Sequence, residues 1–135
     1  MPEYVVERCA SALNQDGKAL KGADILVIGL AYKPDIDDTR ESPAAEILDL
    51  LEERGARIRY HDPHVPTFPA MRKYRRELTS ETLTPELVSA LDCTLIVTNH
   101  RDVDYDMIAQ HCPLVVDTRN AMNGLPSLKA RVVKA

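Results

Sequence analysis

The stretch DILVIGLAYKPDIDDTRESPAAEILDLLEERGARIRYHDP, residues 24–63, decides the fold of this chain. It begins with a short β-branched apolar run, which is typical of a strand buried on both faces of a parallel sheet. A charged loop follows, and Ser42 and Pro43 then predict the N-cap and the first position of a helix. That helix is apolar on one face, ends at Gly55, and leads into a second strand. The stretch is therefore predicted to form a βαβ unit, a crossover that is almost always right-handed.

The rest of the chain continues to alternate predicted strands and helices. Helical spacing of apolar residues is found at 3–14, 84–92 and 103–112, and strands are predicted at 93–99, 113–120 and 129–135. Residues 64–80 are predicted to be an irregular connection, and the last strand is predicted to be short and to lie at the sheet edge. The alternation predicts the α/β class, with a Rossmann-like open parallel sheet flanked by helices in three αβα layers.

The composition excludes several classes of protein. The chain has 135 residues, enough for about one domain, and a net charge of −4, which argues against nucleic acid as a partner. Its longest apolar run, ILVIGLAY, is too short to span a membrane, and the first residues do not have the pattern of a signal peptide. The three cysteines form no CxxC pair, so a reduced, cytoplasmic setting is expected.

Positive side chains follow several of the predicted strands. Lys33 follows the first strand, Arg101 the third and Arg119 the fourth, while Arg40 comes just before the first predicted crossover helix. Ligands of open α/β sheets bind beyond the carboxyl ends of the strands, and Lys and Arg gathered there suit a diphosphate. The alternative is that these cations are solvated and that the acidic residues of the loop merely neutralise Arg40.

Other chemistry-bearing residues give weaker signals. The HDPH sequence, which contains His61 and His64, has too few neighbouring ligands to indicate a zinc site, and no metal is expected. Cys93 opens a strand and Cys112 ends a helix, where thiols usually fill a core. Asp62 ends the second strand, where a Rossmann domain places its ribose-binding acid, but the glycine fingerprint is absent. The alternative for Asp62 is a turn aspartate before a proline.

Three blocks of sequence resemble one known family. The block LKGADILVIGLAYKPDIDDTRESPAAEILDLLEERGARIRYHDPHVP resembles the start of the C-terminal, UDP-binding domain of the UDP-glucose/GDP-mannose dehydrogenase family, and LIVTNHRDVDYDMIAQHCPLVVDTRNAMN resembles its later part. MPEYVVERCASALN is similar to the end of the central helix that joins the two halves of these enzymes. The resemblance therefore divides the chain into residues 1–16, the end of the dimerisation helix, and residues 17–135, the domain that binds the UDP-sugar.

The resemblance also implies an activity and roles for particular residues. Enzymes of this family oxidise the C6 alcohol of a nucleotide sugar to a carboxylate in two NAD-dependent steps, and the products enter polysaccharide biosynthesis. By motif position, Lys33 and Arg119 match residues that contact the substrate. Arg40 matches an arginine that reaches NAD across the cleft between the domains. The blocks look more like UDP-N-acetylhexosamine 6-dehydrogenases, such as those acting on UDP-N-acetylglucosamine, than like the UDP-glucose enzymes.

The chain lacks two motifs of the full family pattern. It has neither the GxGxxG of the NAD-binding domain nor the catalytic cysteine motif, so we expect no catalytic residue here and no dehydrogenase activity or NAD binding by this chain alone. The expected partners are a UDP-sugar and the family's N-terminal NAD-binding and central helical domains, with a homodimer left open. The alternative function is a non-catalytic, flavodoxin-like binding or oligomerisation module.

Overall fold

The fold is an open, parallel sheet of five strands. The computed structural model describes residues 2–30, 43–68, 78–125 and 129–135. The helices are α1 (Pro2–Gln15), α2 (Pro43–Glu53), α3 (Pro85–Ser89) and α4 (Tyr105–His111), and the strands are β1 (Asp24–Ile28), β2 (Arg57–His61), β3 (Thr67–Phe68), β4 (Leu78–Thr79), β5 (Cys93–Ile96), β6 (Leu114–Asp117) and β7 (Arg131–Lys134). The main sheet has the order β2-β1-β5-β6-β7, and all its neighbouring strands run parallel.

Helices cover both faces of this sheet. On one face α1 and α2 pack together over a core that includes Ile25 and Val27 of β1. On the other face α3 and α4 pack over a second core that includes Leu26 and Ile28. Successive residues of a strand point to opposite faces, so a continuous apolar run is what a strand covered on both sides requires. The predicted α/β class and three-layer arrangement are confirmed.

The first helix is packed into the same core as the rest of the chain. Its buried residues are Val5, Val6, Cys9, Ala12 and Leu13. These residues share one apolar cluster with α2 and the sheet. The apolar side of α1 is therefore already covered within the chain.

Local signals in the sequence set several helix ends. The hydroxyl of Thr84 accepts a hydrogen bond from the amide of Leu87 at 3.1 Å, which caps α3 as expected. The chain turns at Gly55 with a φ of 92°, which allows α2 to end before β2 begins. The predicted cap at Ser42 lies outside the described residues. No helix in the described parts of the chain is long and apolar enough to cross a membrane.

The connection after β2 contains structure that the sequence did not predict. β3 and β4 pair antiparallel in a separate two-stranded sheet, and Ser80 forms a bridge to Tyr60 of the main sheet. Strands of two residues are too short to show an alternating pattern, so the segment was expected to be irregular. The small sheet brings Ser80 next to the carboxyl end of β2.

Tyr60 is a buried polar residue of the main sheet. Its side chain is 0% exposed, and its hydroxyl donates a hydrogen bond of 2.8 Å to the carbonyl oxygen of Val65. Burial, and secondarily the negative charge of Asp62, raise the pKa of Tyr60 from 10.0 to about 12. The folded chain therefore resists ionisation of this phenol.

We expect Tyr60 to make the folded state sensitive to alkaline pH. An unfolded chain ionises Tyr60 near pH 10 and the folded chain only near pH 12. The contribution of Tyr60 is complete below pH 10, and between these values the free energy of unfolding falls by up to about 1.4 kcal/mol per pH unit. Denaturant titrations across this range, with Tyr60→Phe as control, measure the effect. An identical decline in both proteins would show that Tyr60 is not responsible.

Candidate functional site

The strand order places a topological switch point between β1 and β5. The connection after β1 leads to β2 on one side of the sheet, whereas the connection after β5 leads to β6 on the other. In open α/β sheets, the crevice outside the carboxyl ends of the strands at such a point is where ligands bind. The amides of Val97 and Thr98 both donate to the carbonyl oxygen of Ile28, at 2.9 and 3.2 Å. The ends of β1 and β5 are thus held together at the candidate site.

The turn after β6 is built around the carboxylate of Asp117. This side chain is buried, and it accepts hydrogen bonds from the backbone amides of Arg119, Ala121 and Met122 at 3.0, 3.1 and 2.9 Å. Asn120 has a φ of 62°, a left-handed conformation that asparagine tolerates better than most residues. The buried carboxylate of Asp117 therefore fixes the backbone at Arg119.

The side chain of Arg119 is exposed but anchored. Its Nε donates a hydrogen bond of 2.9 Å to the carbonyl oxygen of Val97, at the end of β5. Within the ranges that the structure describes, the guanidinium makes no other hydrogen bond or ion pair. An arginine held at Nε keeps both Nη groups for a second acceptor, and the guanidinium fork matches the oxygens of a phosphate. The arrangement is suited to binding an anion at the switch point.

Two cavities formed by described residues adjoin Arg119. One, of about 250 Å³, lies between the first turns of α1 and α2 and the strand ends, and it is mainly apolar. Its lining residues are Pro2, Tyr4, Val5, Pro43, Ile47, Val97, Thr118, Arg119 and Ala135. The other, of about 350 Å³, is more polar and lies along the turn after β6 and the end of β7. A charged group fixed beside an apolar cavity is the usual arrangement of a small-molecule site.

The structure describes two of the four cations that the sequence analysis identified. The structure places Arg119 at the carboxyl edge of the sheet, where the sequence predicted it. Arg101 lies there too, in an exposed turn after β5, and does not line either of the two cavities beside Arg119. Lys33 and Arg40 lie outside the described residues. The ligand roles of Lys33, Arg40 and Arg119 stay predictions.

Asp62 is a buried acid with several partners. It is 0% exposed, and its carboxylate accepts hydrogen bonds from the amides of Leu30 and His64, at 2.7 and 2.8 Å. His100, also 0% exposed, places its Nε2 at 3.0 Å from the same carboxylate. The bond from His64 fits the turn role considered from the sequence, but burial leaves Asp62 no surface for a ribose. The partnership with His100 was not predicted, because nothing local in the sequence links the two positions.

The remaining histidines and cysteines do not form a reactive centre in the described parts of the chain. No group there of three or more His, Cys, Asp or Glu side chains could hold a metal ion. All three cysteines are free and buried. A hydrogen bond with Cys9, and then burial, raise the pKa of Cys93 well above its usual value, and burial raises that of Cys112. Both thiols therefore stay protonated and are poor nucleophiles.

The fold and the site define a Rossmann-like domain of the kind that binds phosphorylated ligands at a switch point. Residues 26–124 match the UDP binding domain of the UDP-glucose/GDP-mannose dehydrogenase family, and the chain belongs to that family. The resemblance found in the sequence is thereby confirmed.

Similar proteins agree with this assignment. A UDP-N-acetyl-D-mannosamine dehydrogenase of Methanococcus maripaludis is 33% identical over 90% of this chain and 28% of its own length. A UDP-glucose 6-dehydrogenase of Rhizobium meliloti is 33% identical over 77% of this chain and 24% of its own length. The solved UDP-D-ManNAc dehydrogenase of Pyrococcus horikoshii superposes with a TM-score of 0.77 and 25% identity, over 99% of this chain and 30% of that one. This chain thus spans less than a third of the length of these relatives.

Proposed function

We propose that this chain binds the UDP end of a nucleotide sugar and is the UDP-binding part of an NAD-dependent UDP-sugar 6-dehydrogenase. The reaction would oxidise the C6 alcohol of the sugar to a carboxylate. The observation that carries the proposal is the position of Arg119 beside the switch point. Its Nε is held by Val97 and its backbone by Asp117, in a domain that belongs to this family.

The diphosphate is the group that this site suits best. In the proposal, the two Nη groups of Arg119 bind phosphate oxygens, and Lys33, whose position the described residues do not give, binds from the loop after β1. The first turn of α2 begins at Pro43, beside the apolar cavity, and backbone amides at a helix N-terminus favour an anion. Side-chain cations thus take the place of the glycine-rich turn that other Rossmann-like domains use.

The sugar is proposed to be an N-acetylhexosamine. This choice is supported by the sequence blocks around His100 and Arg119, and several similar proteins are named for UDP-N-acetyl-D-mannosamine. The division of the chain into residues 1–16, from the central helical region, and residues 17–135, which bind the substrate, belongs to the same proposal.

NAD does not fit the residues that are present. The chain has no GxGxxG turn to hold a dinucleotide pyrophosphate, and the pKa values of Cys93 and Cys112 are raised. We therefore assign NAD and the reacting cysteine to other parts of the enzyme, with Arg40 reaching toward the cofactor. NAD, when bound, accepts the hydride from C6.

The assembly and location of the enzyme belong to the same proposal. Dimer contacts are assigned to the part of the family's central helical region other than residues 1–16, because the apolar side of α1 is already buried within this chain. The cytoplasm is proposed as the compartment, since free cysteines persist where thiols are kept reduced.

Calorimetric titration of the chain with UDP tests the proposal. We expect saturable binding of UDP that weakens with salt, and much weaker binding of uridine, because phosphate contacts supply most of the attraction. Incubation with NAD and UDP-N-acetylhexosamines is expected to give no NADH. Equal binding of UDP and uridine, or no binding of UDP, would contradict the phosphate site, and NADH formation would contradict the assignment of catalysis elsewhere.

A further inference from the structure

Asp62 contacts four segments of the chain beside the switch point, three through its carboxylate and one through its backbone amide. It accepts from the amide of Leu30, just after β1, and from the amide of His64, in the turn after β2. His100 contacts it from the connection after β5, and the amide of Asp62 itself donates to the hydroxyl of Ser80 at 2.9 Å. Because both Asp62 and His100 are 0% exposed, the carboxylate is hydrogen-bonded by protein groups rather than by water.

Asp62 also fixes the direction in which the chain leaves β1. Gly29 has a φ of 94°, and its amide donates to the carbonyl oxygen of His61 at 3.0 Å. A Cβ at Gly29 would lie 2.5 Å from the Cβ of Thr98, so the backbone passes directly against the end of β5. The next amide, that of Leu30, is then held by Asp62 at 2.7 Å. Leu30 is the last described residue before the charged loop.

Val97, which anchors Arg119, also contacts the end of β1. Val97 donates its amide to the carbonyl oxygen of Ile28 at 2.9 Å, and its own carbonyl oxygen accepts from the Nε of Arg119 at 2.9 Å. The end of β1 is therefore tied to Asp62 through Leu30 and, through Val97, to Arg119. A change at Asp62 therefore alters the contacts at the end of β1, and the end of β1 in turn contacts Val97, which holds Arg119.

We propose that Asp62, with His100 as its partner, is a positioning residue of the phosphate site. It fixes the chain at Leu30, just after β1, and the end of β1 in turn contacts Val97, which holds Arg119 at the diphosphate. The inference rests on the proposed function, since it concerns the geometry of UDP binding. Asp62 itself does not contact the ligand, because its carboxylate is buried and occupied.

The substitution Asp62→Asn tests this role with little change in side-chain shape. An amide side chain has one acceptor oxygen, whereas the carboxylate of Asp62 accepts from Leu30 and His64 on its two separate oxygens. Asp62→Asn therefore turns an NH₂ group toward one of the two amides. We expect UDP affinity to fall by about 10-fold or more. The amide proton of Leu30 is expected to move upfield in the NMR spectrum, because its charge-assisted hydrogen bond is lost.

A core variant separates positioning from a general loss of stability. Val88 is 0% exposed in α3, in the core on the opposite face of the sheet from α1 and α2. Val88→Ala is expected to lower the unfolding temperature and to leave the affinity for UDP within about 2-fold of the original at a temperature where both proteins are folded. If Asp62→Asn binds UDP as tightly as Val88→Ala does, the inference is wrong.

Two changes at His100 keep the test decisive if Asp62→Asn does not fold. His100→Gln can still donate to the carboxylate of Asp62, whereas His100→Leu cannot. We expect the glutamine variant to retain more UDP affinity than the leucine variant. Equal affinity of both with the original protein would overturn the inference while leaving the proposed function intact. Absence of UDP binding by the original protein would overturn both.

Discussion

Replacing Arg119 by alanine is expected to weaken the binding of UDP about 10- to 100-fold, as the loss of charge-assisted hydrogen bonds to phosphate implies. Arg119 makes no other side-chain hydrogen bond in the described ranges than that from Nε to Val97, so stability should change little. Arg119→Lys keeps the charge, but a single ammonium group cannot both donate to Val97 and bind two phosphate oxygens as a guanidinium does. We therefore expect an intermediate affinity for UDP. Calorimetry with UDP measures all three proteins.

Arg57 supplies a matched control for the change at Arg119. It lies at the first position of β2, at the amino edge of the sheet, and its side chain is 70% exposed. Arg57→Ala removes the same charge from the opposite edge, so UDP affinity should stay within about 2-fold of the original. Equal losses in the two variants would mean that net charge, rather than a site at the carboxyl edge, governs binding.

Gly29→Ala is expected to cause the largest loss of stability among single changes at the site. The φ of 94° disfavours any side chain, and the added Cβ would lie 2.5 Å from the Cβ and 2.9 Å from the backbone nitrogen of Thr98. Strain and displacement together should lower the free energy of unfolding by roughly 3 kcal/mol or more. Because the end of β1 would have to move, UDP binding should weaken as well.

Gly17 separates the two causes of this loss. It has a φ of 75°, and a Cβ there would meet nothing within 4 Å. Gly17→Ala should therefore show only the conformational cost, roughly 1–2 kcal/mol. Urea unfolding of the two variants measures the difference. If both lose the same free energy, the close approach to Thr98 has no role in stability.

The sequence predicted the fold well because its local signals agree with one another. The β-branched run at β1 has the length and composition of a strand covered on both faces, and Thr84 caps α3 as its position implied. The cation at Arg119 was found because carboxyl ends of parallel strands share one edge. These inferences need only neighbours in the sequence or a rule of the fold.

The parts that were missed depend on contacts between distant residues. Asp62 and His100 are 38 positions apart, and nothing local in the sequence indicates that both would be buried together. The role of Asp117 follows from three hydrogen bonds that backbone amides donate to its carboxylate, and these form only once the turn is closed. The pairing of β3 with β4 was missed because two residues carry no periodicity.

A crystal structure of this chain with UDP tests the central claim most directly. We predict diphosphate oxygens about 2.7–2.9 Å from the Nη groups of Arg119. The Nε of Arg119 should still contact Val97, and the ligand should lie beyond the carboxyl ends of β1 and β5. A diphosphate at the amino edge of the sheet, or one bound at the carboxyl edge without contact to Arg119, would contradict the account.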